Sequence, residues 1–590
     1  MTGADSSVWL GDVVAAERSG ELLSAVDLAE RGLEEHPGNV ALQYRAVLAL
    51  ARAGSTEQAA RRFGEYGLRA VGTEDVRALE ARIAKDVALA ATGAERRALA
   101  QSSAALYGAI FAETGGYYPA INAATLLLIG GDADGARALA RVVLARLDDS
   151  EDEGYFAAAT EAEAQLLLGD VAAAQSALER AAALHGEDYG AVATTRRQLR
   201  LVCEHAGVDP AFLSVLAGPR VVHYCGHRIT RDDTGPFRAE DEDAAARAIA
   251  AALDRRPAAY AYGSLASGAD ILWAEALLER GAELHVVLPF GEAEFVAASV
   301  ADADAAWVAR FEHCLSAAAR VTFATDDSFL DDDVLYRYGS ELAMGLALLR
   351  ARFVDGEALQ LALWDGMPAR GTAGTAIDVA AWGGRGREAT IVAPPRRTPD
   401  AALVEAPHLS RNGRIVRAML FADVKGFSKL GDAQLPRFAE HVLGAFAHVL
   451  GRHRDSVEFS NTWGDGLYVV MTDALAAATC ALDLQQAMSE LDLAALGLPE
   501  HLALRLGAHV GPVFALRDPI LGVESFMGSQ VSRTARIEPV TPSGAVYVTE
   551  SFAATLELND APFACDYVGH MPAAKDFGRL RMYRLRATYN

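Results

Sequence analysis

The sequence predicts a multidomain protein in which all-α helical repeats are followed by an α/β region with a parallel sheet and then by an α+β region. The chain has 590 residues, enough for several domains of about 150 residues each. Residues 10–208 carry Ala and Leu at helical spacing, whereas short apolar strands alternate with helices after residues 219 and 412. We therefore expect domains at residues 1–210, 219–395 and 412–590.

The net negative charge limits the kinds of partner that we expect this protein to bind. Asp and Glu outnumber Lys and Arg by 79 to 54, which gives a net charge of −25 and argues against nucleic acid or an anionic membrane as the main partner. Five cysteines, none near another in sequence, indicate neither a disulfide framework nor a thiolate metal site. With no export signal and no apolar run of about 18 residues, we expect a cytoplasmic protein.

The sequence of the first region predicts helical hairpins. Gly20 and Gly54 lie 34 residues apart in short turns, with predicted helices at 22–35 and 40–53. This spacing resembles tetratricopeptide-type repeats, and residues 116–123 resemble the TRAFs-binding helical domain found upstream of bacterial signalling modules. Such repeats bury their apolar faces by stacking and offer a surface to a protein partner or a second copy. A generic all-helical scaffold is the alternative.

The second region has the strand and helix alternation of a parallel sheet. A helix is predicted at 240–253, and residues 394–399, rich in Pro and Arg, read as a linker. The predicted strands are 220–224, 259–262, 284–288, 321–323, 359–363 and 390–393.

Two glycine-rich turns of this region are candidate ligand loops. Residues 263–270 follow a strand and open a helix, so their backbone amides could receive a phosphate, and a second turn spans residues 371–375. Together with Leu288-Pro289-Phe290 they resemble the SLOG superfamily of Rossmann-like nucleotide-binding domains over residues 220–394. The resemblance implies ligand sensing rather than a second enzyme or a purely structural sheet. The candidate ligand residues are Gly263, Ser264, Gly268, Gly371, Gly374 and Thr375.

The third region has the element order of a ferredoxin-like α/β plait: strand, helix, hairpin, helix, strand. The apolar spacing within 435–450 is that of an amphipathic helix, and the hairpin closes around Gly464-Asp465-Gly466. The predicted elements are strand 415–421, helix 435–450, strands 457–459 and 467–471, helix 475–491 and strand 503–510, with a last strand at 580–585.

Two aspartates of this region are predicted to meet at adjacent strand ends. Asp423 ends the first strand within Phe421-Ala422-Asp423-Val424-Lys425-Gly426-Phe427-Ser428, and Asp465 follows 42 residues later in the hairpin. Carboxylates alone hold Mg²⁺ or Mn²⁺ weakly, and such ions keep waters and recruit phosphates from a substrate. The pair therefore indicates a complex of metal and nucleotide.

These residues resemble the class III nucleotide cyclases over residues 415–585. The resemblance implies that Asp423 and Asp465 hold two metal ions, Mn²⁺ or Mg²⁺, and that the backbone of Val424, Gly426 and Phe427 cradles phosphate oxygens. It also implies a homodimer, since in this family the metal-binding aspartates and the transition-state Arg of one site come from opposite subunits. The implied activity is that of a phosphorus-oxygen lyase that makes a 3′,5′-cyclic nucleotide and pyrophosphate.

The segment 528–539 reads as a helix stopped by Pro539, with Ser532 and Arg536 one turn apart. The resemblance implies that Arg536 meets the charge developing on the α-phosphate, while Ser532 stands where the family has Asn. The position of a phosphate-binding Lys in many relatives falls on Phe577, with Lys575 and Arg579 as the candidate substitutes.

The residues that select the base depart from the family pattern. Relatives that use ATP carry Lys and Asp, and those that use GTP carry Glu and Cys, where this chain has Asn461 and Ser525. The absence of both pairs resembles the bacterial pyrimidine cyclases of antiphage signalling. The first expectation is thus conversion of UTP to cyclic UMP for a separately encoded effector. Two alternatives are an adenylate cyclase and a degenerate cyclase fold used only for nucleotide binding or dimerisation.

Overall fold

The computed structural model describes residues 6–150, 152–229, 237–369, 371–394, 413–520, 522–575 and 577–588. The chain divides into two compact units. The first comprises Met1–Pro219, Arg352–Gly356 and Asp566–Gly569, and the second comprises Arg220–Ala351, Glu357–Cys565 and His570–Asn590. Both predicted sheet regions lie in the second unit. Most of the predicted linker, from residue 395 onward, lies outside the described residues.

The first unit is helical. Its helix α2 has the predicted bounds, and Gly20 and Gly54 adopt φ values of 73° and 82° in the turns that follow α1 and α3. Asn39, Asp132 and Asp170 cap helices by accepting backbone N–H bonds. The helices are α1 Ser6–Arg18, α2 Leu22–Glu35, α3 Val40–Arg52, α4 Thr56–Glu65, α5 Glu74–Ala90, α6 Gly93–Thr114, α7 Tyr117–Ile129, α8 Ala133–Asp148, α9 Tyr155–Leu168, α10 Val171–Leu184 and α11 Tyr189–Ala206.

The second unit begins with a six-stranded parallel sheet. Its strands are β1 Arg220–Gly226, β2 Tyr260–Gly263, β3 Glu283–Leu288, β4 Arg320–Phe323, β5 Glu357–Leu363 and β6 Ala389–Val392. Its helices are α12 Glu242–Arg255, α13 Ala269–Glu279, α14 Glu292–Ser299, α15 Ala305–Ala317, α16 Asp333–Phe353 and α17 Thr375–Gly383. The strand order is β4-β3-β2-β1-β5-β6, so the direction of winding reverses between β1 and β5. A parallel sheet opens a crevice at such a reversal, outside the carboxyl ends of the strands.

The second sheet follows the undescribed segment. Its strands are β7 Arg414–Lys425, β8 Val457–Trp463, β9 Gly466–Met471, β10 Ala503–Arg517, β11 Glu524–Met527, β12 Val546–Thr549, β13 Phe563–Pro572 and β14 Arg579–Ala587. Its helices are α18 Leu435–Arg437, a π-helical turn Phe438–Leu443 that continues into α19 Gly444–Arg452, α20 Ala474–Ser489, α21 Ser529–Thr534 and α22 Glu550–Leu558. The order is β13-β14-β12-β10-β7-β9-β8, and β11 pairs with β10.

The centre of this sheet is the long antiparallel pair β7 and β10. It is flanked by the β8–β9 hairpin, whose strand β9 is wholly buried, with Ala422 of β7 paired to Leu467 of β9. The next residue of β7, Asp423, therefore lies beside the hairpin turn. Helix α21 packs on β10 at Gly511, where any Cβ would come 2.9 Å from Gln530 Cγ.

Among the described residues, no helix combines the length and the apolar character needed to cross a lipid bilayer. All five cysteines are buried.

Candidate active site

Asp423 and Asp465 converge as the sequence predicts. Asp423 stands near the end of β7, and Asp465 stands in the turn between β8 and β9. The pairing of Ala422 with Leu467 sets the two side chains within hydrogen-bonding range of each other. Both line a cavity of about 580 Å³.

The electrostatics of the pair fit a divalent cation. Partial burial and the neighbouring carboxylate of Asp423 raise the pKa of Asp465 to about 6, because two negative charges so close cannot both be stable without compensation. Two carboxylates that repel each other and open into a cavity are a hard oxygen donor set, which suits Mg²⁺ or Mn²⁺.

The turn after β7 shapes the floor of the cavity. Gly426 has φ of 97°, and a Cβ there would come 2.9 Å from the ring of His501, so only glycine fits. The chain then enters a short 3-10 turn at Phe427–Lys429. The Phe427 ring packs 4.9 Å from Phe438 and contacts Gly464, which ties this turn to the hairpin that carries Asp465.

Basic side chains dominate the remaining wall. Lys425, Lys429, His501 and Arg505 line the cavity together with Asp423 and Asp465. Val424, Gly426 and Phe427 line the cavity as the resemblance predicts, whereas no sequence motif singled out these four side chains. Cations around two carboxylates suit a triphosphate that arrives with its metal.

Arg505 is the most specific of these residues. It lies directly opposite Asp423 in the β7–β10 register, and its Nη2 donates to Asp423 Oδ2 at 2.7 Å. Its Nε also lies 2.5 Å from Glu538. Burial raises the pKa of Glu538 to about 7, with the charges of Asp423 and Asp465 adding to the effect and Arg505 opposing it.

Ser532 and Arg536 lie outside this cavity. Ser532 is exposed on α21, whereas Arg536 is half-buried in the turn that follows. The predicted continuous helix to Pro539 is wrong: α21 ends at Thr534, and the Arg536 N–H donates to the Arg533 carbonyl at 3.0 Å in a tighter turn. Pro539, which has no N–H to donate, then lies in the 3-10 turn Glu538–Val540.

The loop between β13 and β14 adjoins Arg536. The Ala574 N–H donates to the Arg536 carbonyl at 3.1 Å, which brings the exposed Lys575 beside Arg536. Lys575 has φ of 57°, a conformation that costs energy for a residue other than glycine. Arg579 is exposed and donates to the His570 carbonyl, while Phe577 lies under the Arg533 guanidinium at 5.8 Å.

The two candidate base-selecting residues occupy different environments. Asn461 is exposed on β8, and its Oδ1 accepts the Thr462 N–H at 2.9 Å. Ser525 is buried on β11 opposite Leu516. Phe459 lies two residues before Asn461, and Phe526 directly follows Ser525. The ring centroids of these two phenylalanines are 6.4 Å apart. No hydrogen bond joins Asn461 to Ser525 in the described structure.

The candidate ligand residues of the parallel sheet gather at the carboxyl ends of its strands. Gly263 ends β2 and Ser264 and Gly268 follow it, while Gly371, Gly374 and Thr375 follow β5, so the two turns flank the end of β1. At the reversal point His227 Nε2 and Asp365 Oδ1 lie 3.0 Å apart. Packing also requires some of these glycines, because a Cβ at Gly268 would lie 2.5 Å from Ile229 N.

Comparison with known proteins identifies two parts of the chain. Residues 415–587 match the adenylate and guanylate cyclase catalytic domain, and residues 21–127 match the Tetratricopeptide Repeats-Sensor family. No curated protein matches the chain.

Several solved cyclase domains resemble the same third of the chain. The guanylate cyclase domain of RhGC from Catenaria anguillulae, in complex with GTP, is 20% identical over 30% of this chain and 97% of its own, with a TM-score of 0.26. The adenylyl cyclase CyaB from P. aeruginosa is 18% identical over 30% of this chain and 96% of its own, with a TM-score of 0.27. A non-canonical dimeric guanylyl cyclase domain of the RhoGC fusion protein from Blastocladiella emersonii is 18% identical over 30% of this chain and 97% of its own, with a TM-score of 0.25.

The C-terminal region is thus a class III adenylate and guanylate cyclase catalytic domain, preceded at the N-terminal end by a tetratricopeptide-like helical region. The chain is accordingly a nucleotide cyclase. Enzymes of this class generally use divalent ions such as Mg²⁺ or Mn²⁺, with which the pair Asp423 and Asp465 is compatible.

Proposed function

We propose that this protein converts a nucleoside triphosphate to its 3′,5′-cyclic monophosphate and pyrophosphate in a site shared by two copies of the chain. The observation that carries the proposal is the separation of the functional residues into two groups. Asp423, Asp465 and Arg505 line one cavity, and that cavity is not lined by Arg536 or Ser532. A second copy that presents Arg536 to the cavity would complete the site.

An exposed apolar side chain adjoins each group in the chain and supports the second copy. Trp463, two residues before Asp465, is 54% exposed, and Met527, just before α21, is 43% exposed. Large apolar side chains exposed around a site mark an interaction surface. A homodimer would bury them while bringing Arg536 of one copy to the aspartates of the other.

Each group then has a defined task. Asp423 and Asp465 would hold the divalent ions, which when bound assist ionisation of the ribose 3′-hydroxyl and neutralise the triphosphate. Lys425, Lys429 and the backbone of residues 424–427 bind phosphate oxygens. The Arg536 guanidinium offers a fork of donors to the charge that develops on the α-phosphate, and Ser532 donates one hydrogen bond there. Lys575, beside Arg536, adds a positive charge to the same group, and Arg579 is the second candidate cation.

The proposed base is a pyrimidine, with UTP first. Asn461 offers one acceptor and two donors, and the Ser525 hydroxyl offers one donor, so the pair can bond a uracil or cytosine edge. Neither residue supplies the charged partners with which relatives read purines. In this proposal cyclic UMP is the second messenger of an antiphage response and acts on a separately encoded effector, and the alternative is an adenylate cyclase that makes cyclic AMP.

The other two regions would regulate the enzyme. The turns that contain Gly263, Gly268, Gly371 and Gly374 lie at the crevice of the parallel sheet, where such sheets bind ligands. We assign ligand sensing to this crevice, and protein binding to the helical repeats.

The test is a product assay with ATP, GTP, UTP and CTP, each with Mn²⁺ or Mg²⁺ and with EDTA as the control. Formation of cyclic UMP or cyclic CMP at rates at least equal to those of the purine products supports the proposal. A strict ATP preference would favour the adenylate cyclase. If a folded, dimeric, metal-loaded protein forms no cyclic nucleotide, it serves as a nucleotide-binding or dimerisation module instead.

A further inference from the structure

Helix α21, which carries Ser532 and precedes Arg536, is attached on one face to the parallel sheet. Gln530 Nε2 donates to Thr325 Oγ1 at 2.7 Å, and Arg533 forms an ion pair with Asp326 at 2.7 Å. The Ser529 hydroxyl donates to Asp327. Residues 325–327 directly follow the edge strand β4, so the end of that strand holds the helix at three points.

Gln530 is the buried centre of this attachment. Gln530 and Thr325 are at most 1% exposed. The Gln530 Oε1 accepts from His509 Nε2 at 2.8 Å, while His509 Nδ1 lies 2.8 Å from Thr549 Oγ1. Burial lowers the pKa of His509 to about 3, so this ring stays neutral and keeps one donor and one acceptor. A buried network satisfied in this way fixes one position of α21.

The segment that holds α21 is linked to the first glycine-rich turn through two intermediate residues, Ser299 and Tyr336. The Ser267 N–H donates to the Ser299 carbonyl at 2.9 Å, and the Ser299 hydroxyl lies 2.8 Å from the Tyr336 hydroxyl. The Tyr336 ring packs edge-on against Phe329, with centroids 5.4 Å apart. Phe329 belongs to the same segment as Thr325.

The second glycine-rich turn reaches the far end of this segment. The Thr372 N–H donates to Asp333 Oδ2 at 3.2 Å, and a Cβ at Gly371 would lie 2.5 Å from the same oxygen. Between the two ends, Asp332 forms a buried ion pair with Arg414, the first residue of β7, at 3.2 Å. Residues 324–333 thus contact the second glycine-rich turn, the start of β7 and the helix α21 directly, and they are linked to the first turn through Tyr336 and Ser299.

We propose that residues 324–333 couple the ligand crevice of the parallel sheet to the cyclase, with Thr325 and Gln530 as positioning residues that set where Ser532 and Arg536 stand. The inference rests on the proposed roles of those two residues in catalysis. A change at either glycine-rich turn moves this segment, and the segment moves α21. The parallel sheet is then a control element of the enzyme and not only a support.

Thr325→Val and Thr325→Ser form a matched pair that tests the coupling. Valine keeps the shape but removes the acceptor that the parallel-sheet side offers to the buried Gln530 amide, which then keeps only Ser529 Oγ of α21 itself, whereas serine keeps the hydroxyl. The lost hydrogen bond changes the position of Ser532 and Arg536, which act on the transition state in the proposed mechanism. The kcat of Thr325→Val should therefore fall about tenfold, with KM nearly unchanged. Thr325→Ser should restore most of kcat. A fall in KM and kcat together, or no rescue by serine, would overturn the positioning role.

A control variant separates coupling from loosened packing. Arg387 donates to the Leu558 carbonyl at 2.8 Å at the end of α22 and does not touch α21. Arg387→Gln disturbs the same pair of sheets elsewhere and should leave kcat within about twofold. An equal loss of kcat in Arg387→Gln and Thr325→Val would contradict a specific path through residues 324–333.

Hydrogen exchange gives a readout that does not need cyclase activity. Amides of residues 529–536 should exchange at least about fivefold faster in Thr325→Val than in the unaltered chain. Tyr336→Phe, which removes only the hydroxyl next to Ser299, should change exchange of the same residues in the same direction. If exchange of residues 529–536 is unchanged in both variants, the coupling is refuted even where cyclase activity is present. If exchange changes but no cyclic nucleotide forms, the coupling stands and the proposed activity fails.

Discussion

Asp423 and Arg505 face each other across the two central strands of the cyclase sheet, and their side chains form an ion pair 2.7 Å long. The same guanidinium lies 2.5 Å from Glu538. One cation therefore balances three carboxylates, since Asp465 adjoins Asp423. The charge of the pair Asp423 and Asp465 therefore depends on Arg505.

Replacement of Arg505 should move the acid limb of activity. The Arg505 charge lowers the pKa of Asp465, so Arg505→Met should raise it and shift the acid limb of kcat/KM to higher pH. Activity at pH 6.5 should fall about fivefold, while Arg505→Lys, which keeps the charge, should keep the limb in place. A pH profile of kcat/KM for the wild-type protein and both variants tests this prediction. Identical acid limbs in all three profiles would contradict the electrostatic role of Arg505.

Loss of either carboxylate of the pair Asp423 and Asp465 should abolish activity without unfolding the chain. Asp423→Asn and Asp465→Asn each remove a charge from a partly exposed site, so kcat/KM should fall at least about 10³-fold while the circular dichroism spectrum stays unchanged. Asp432→Asn, at an exposed position of the same region, serves as the control. Wild-type turnover in excess EDTA would disprove the metal requirement.

Manganese should stabilise the protein more at pH 7.5 than at pH 5. The pKa of Asp465 is raised to about 6 in the folded chain, against about 3.9 when unfolded. Protonation of Asp465 therefore adds to the free energy of unfolding. This contribution is present in full below about pH 4 and is lost as the pH rises through about 6. Mn²⁺ binds the ionised pair and replaces the missing proton, so it should raise Tm at pH 7.5 and have little effect at pH 5. Asp465→Asn should show no such difference in thermal unfolding scans, and an equal shift at both pH values would contradict the assignment.

Mixed dimers should recover activity lost by each parent. Asp423→Ala and Arg536→Ala damage opposite halves of a shared site, so each protein alone should be inactive. A heterodimer of the two holds one doubly damaged site and one intact site, which should give up to about half of the wild-type rate. Differently tagged chains, co-expressed and co-purified, allow the measurement. A verified heterodimer as inactive as its parents would exclude a site shared between chains.

Installing the adenine-reading pair should change base preference. Asn461→Lys with Ser525→Asp should raise the ratio of ATP to UTP turnover at least about tenfold. Adenine presents the N6 amino donor beside the N1 acceptor, which matches a carboxylate and an ammonium, whereas uracil presents the O4 acceptor and the N3–H donor in the reverse order. The single variants are the controls and should have smaller effects. An unchanged ratio would show that other residues select the base.

The convergence of Asp423 and Asp465 was predictable because both follow strong local signals, a strand end and a glycine hairpin. Arg505 was not, since an Arg on a half-buried strand reads as a solvated charge until the register of β7 and β10 sets it opposite Asp423. The end of α21 was misjudged for a similar reason. The pattern up to Pro539 is helical, but Ile537 is fully buried, and any Cβ at Gly507 of β10 would lie 2.9 Å from its Cβ, so that packing draws the chain into a tighter turn.

Contacts between segments far apart in sequence lay beyond prediction altogether. Thr325 and Gln530 are 205 residues apart, and neither belongs to a recognisable motif. Only the packing of the parallel sheet beside β10 brings them together, and a single sequence carries no signal for a pair of this kind.

The buried thiols make the chain suitable for fluorescence work. All five cysteines are buried, and burial raises the pKa of Cys203, Cys225, Cys314 and Cys480, so little reactive thiolate is present at neutral pH. A maleimide dye would therefore react first with a cysteine introduced on the surface. One cysteine introduced per chain would place two dyes in the proposed homodimer and report the distance between the copies against a low background, without any native cysteine having to be removed.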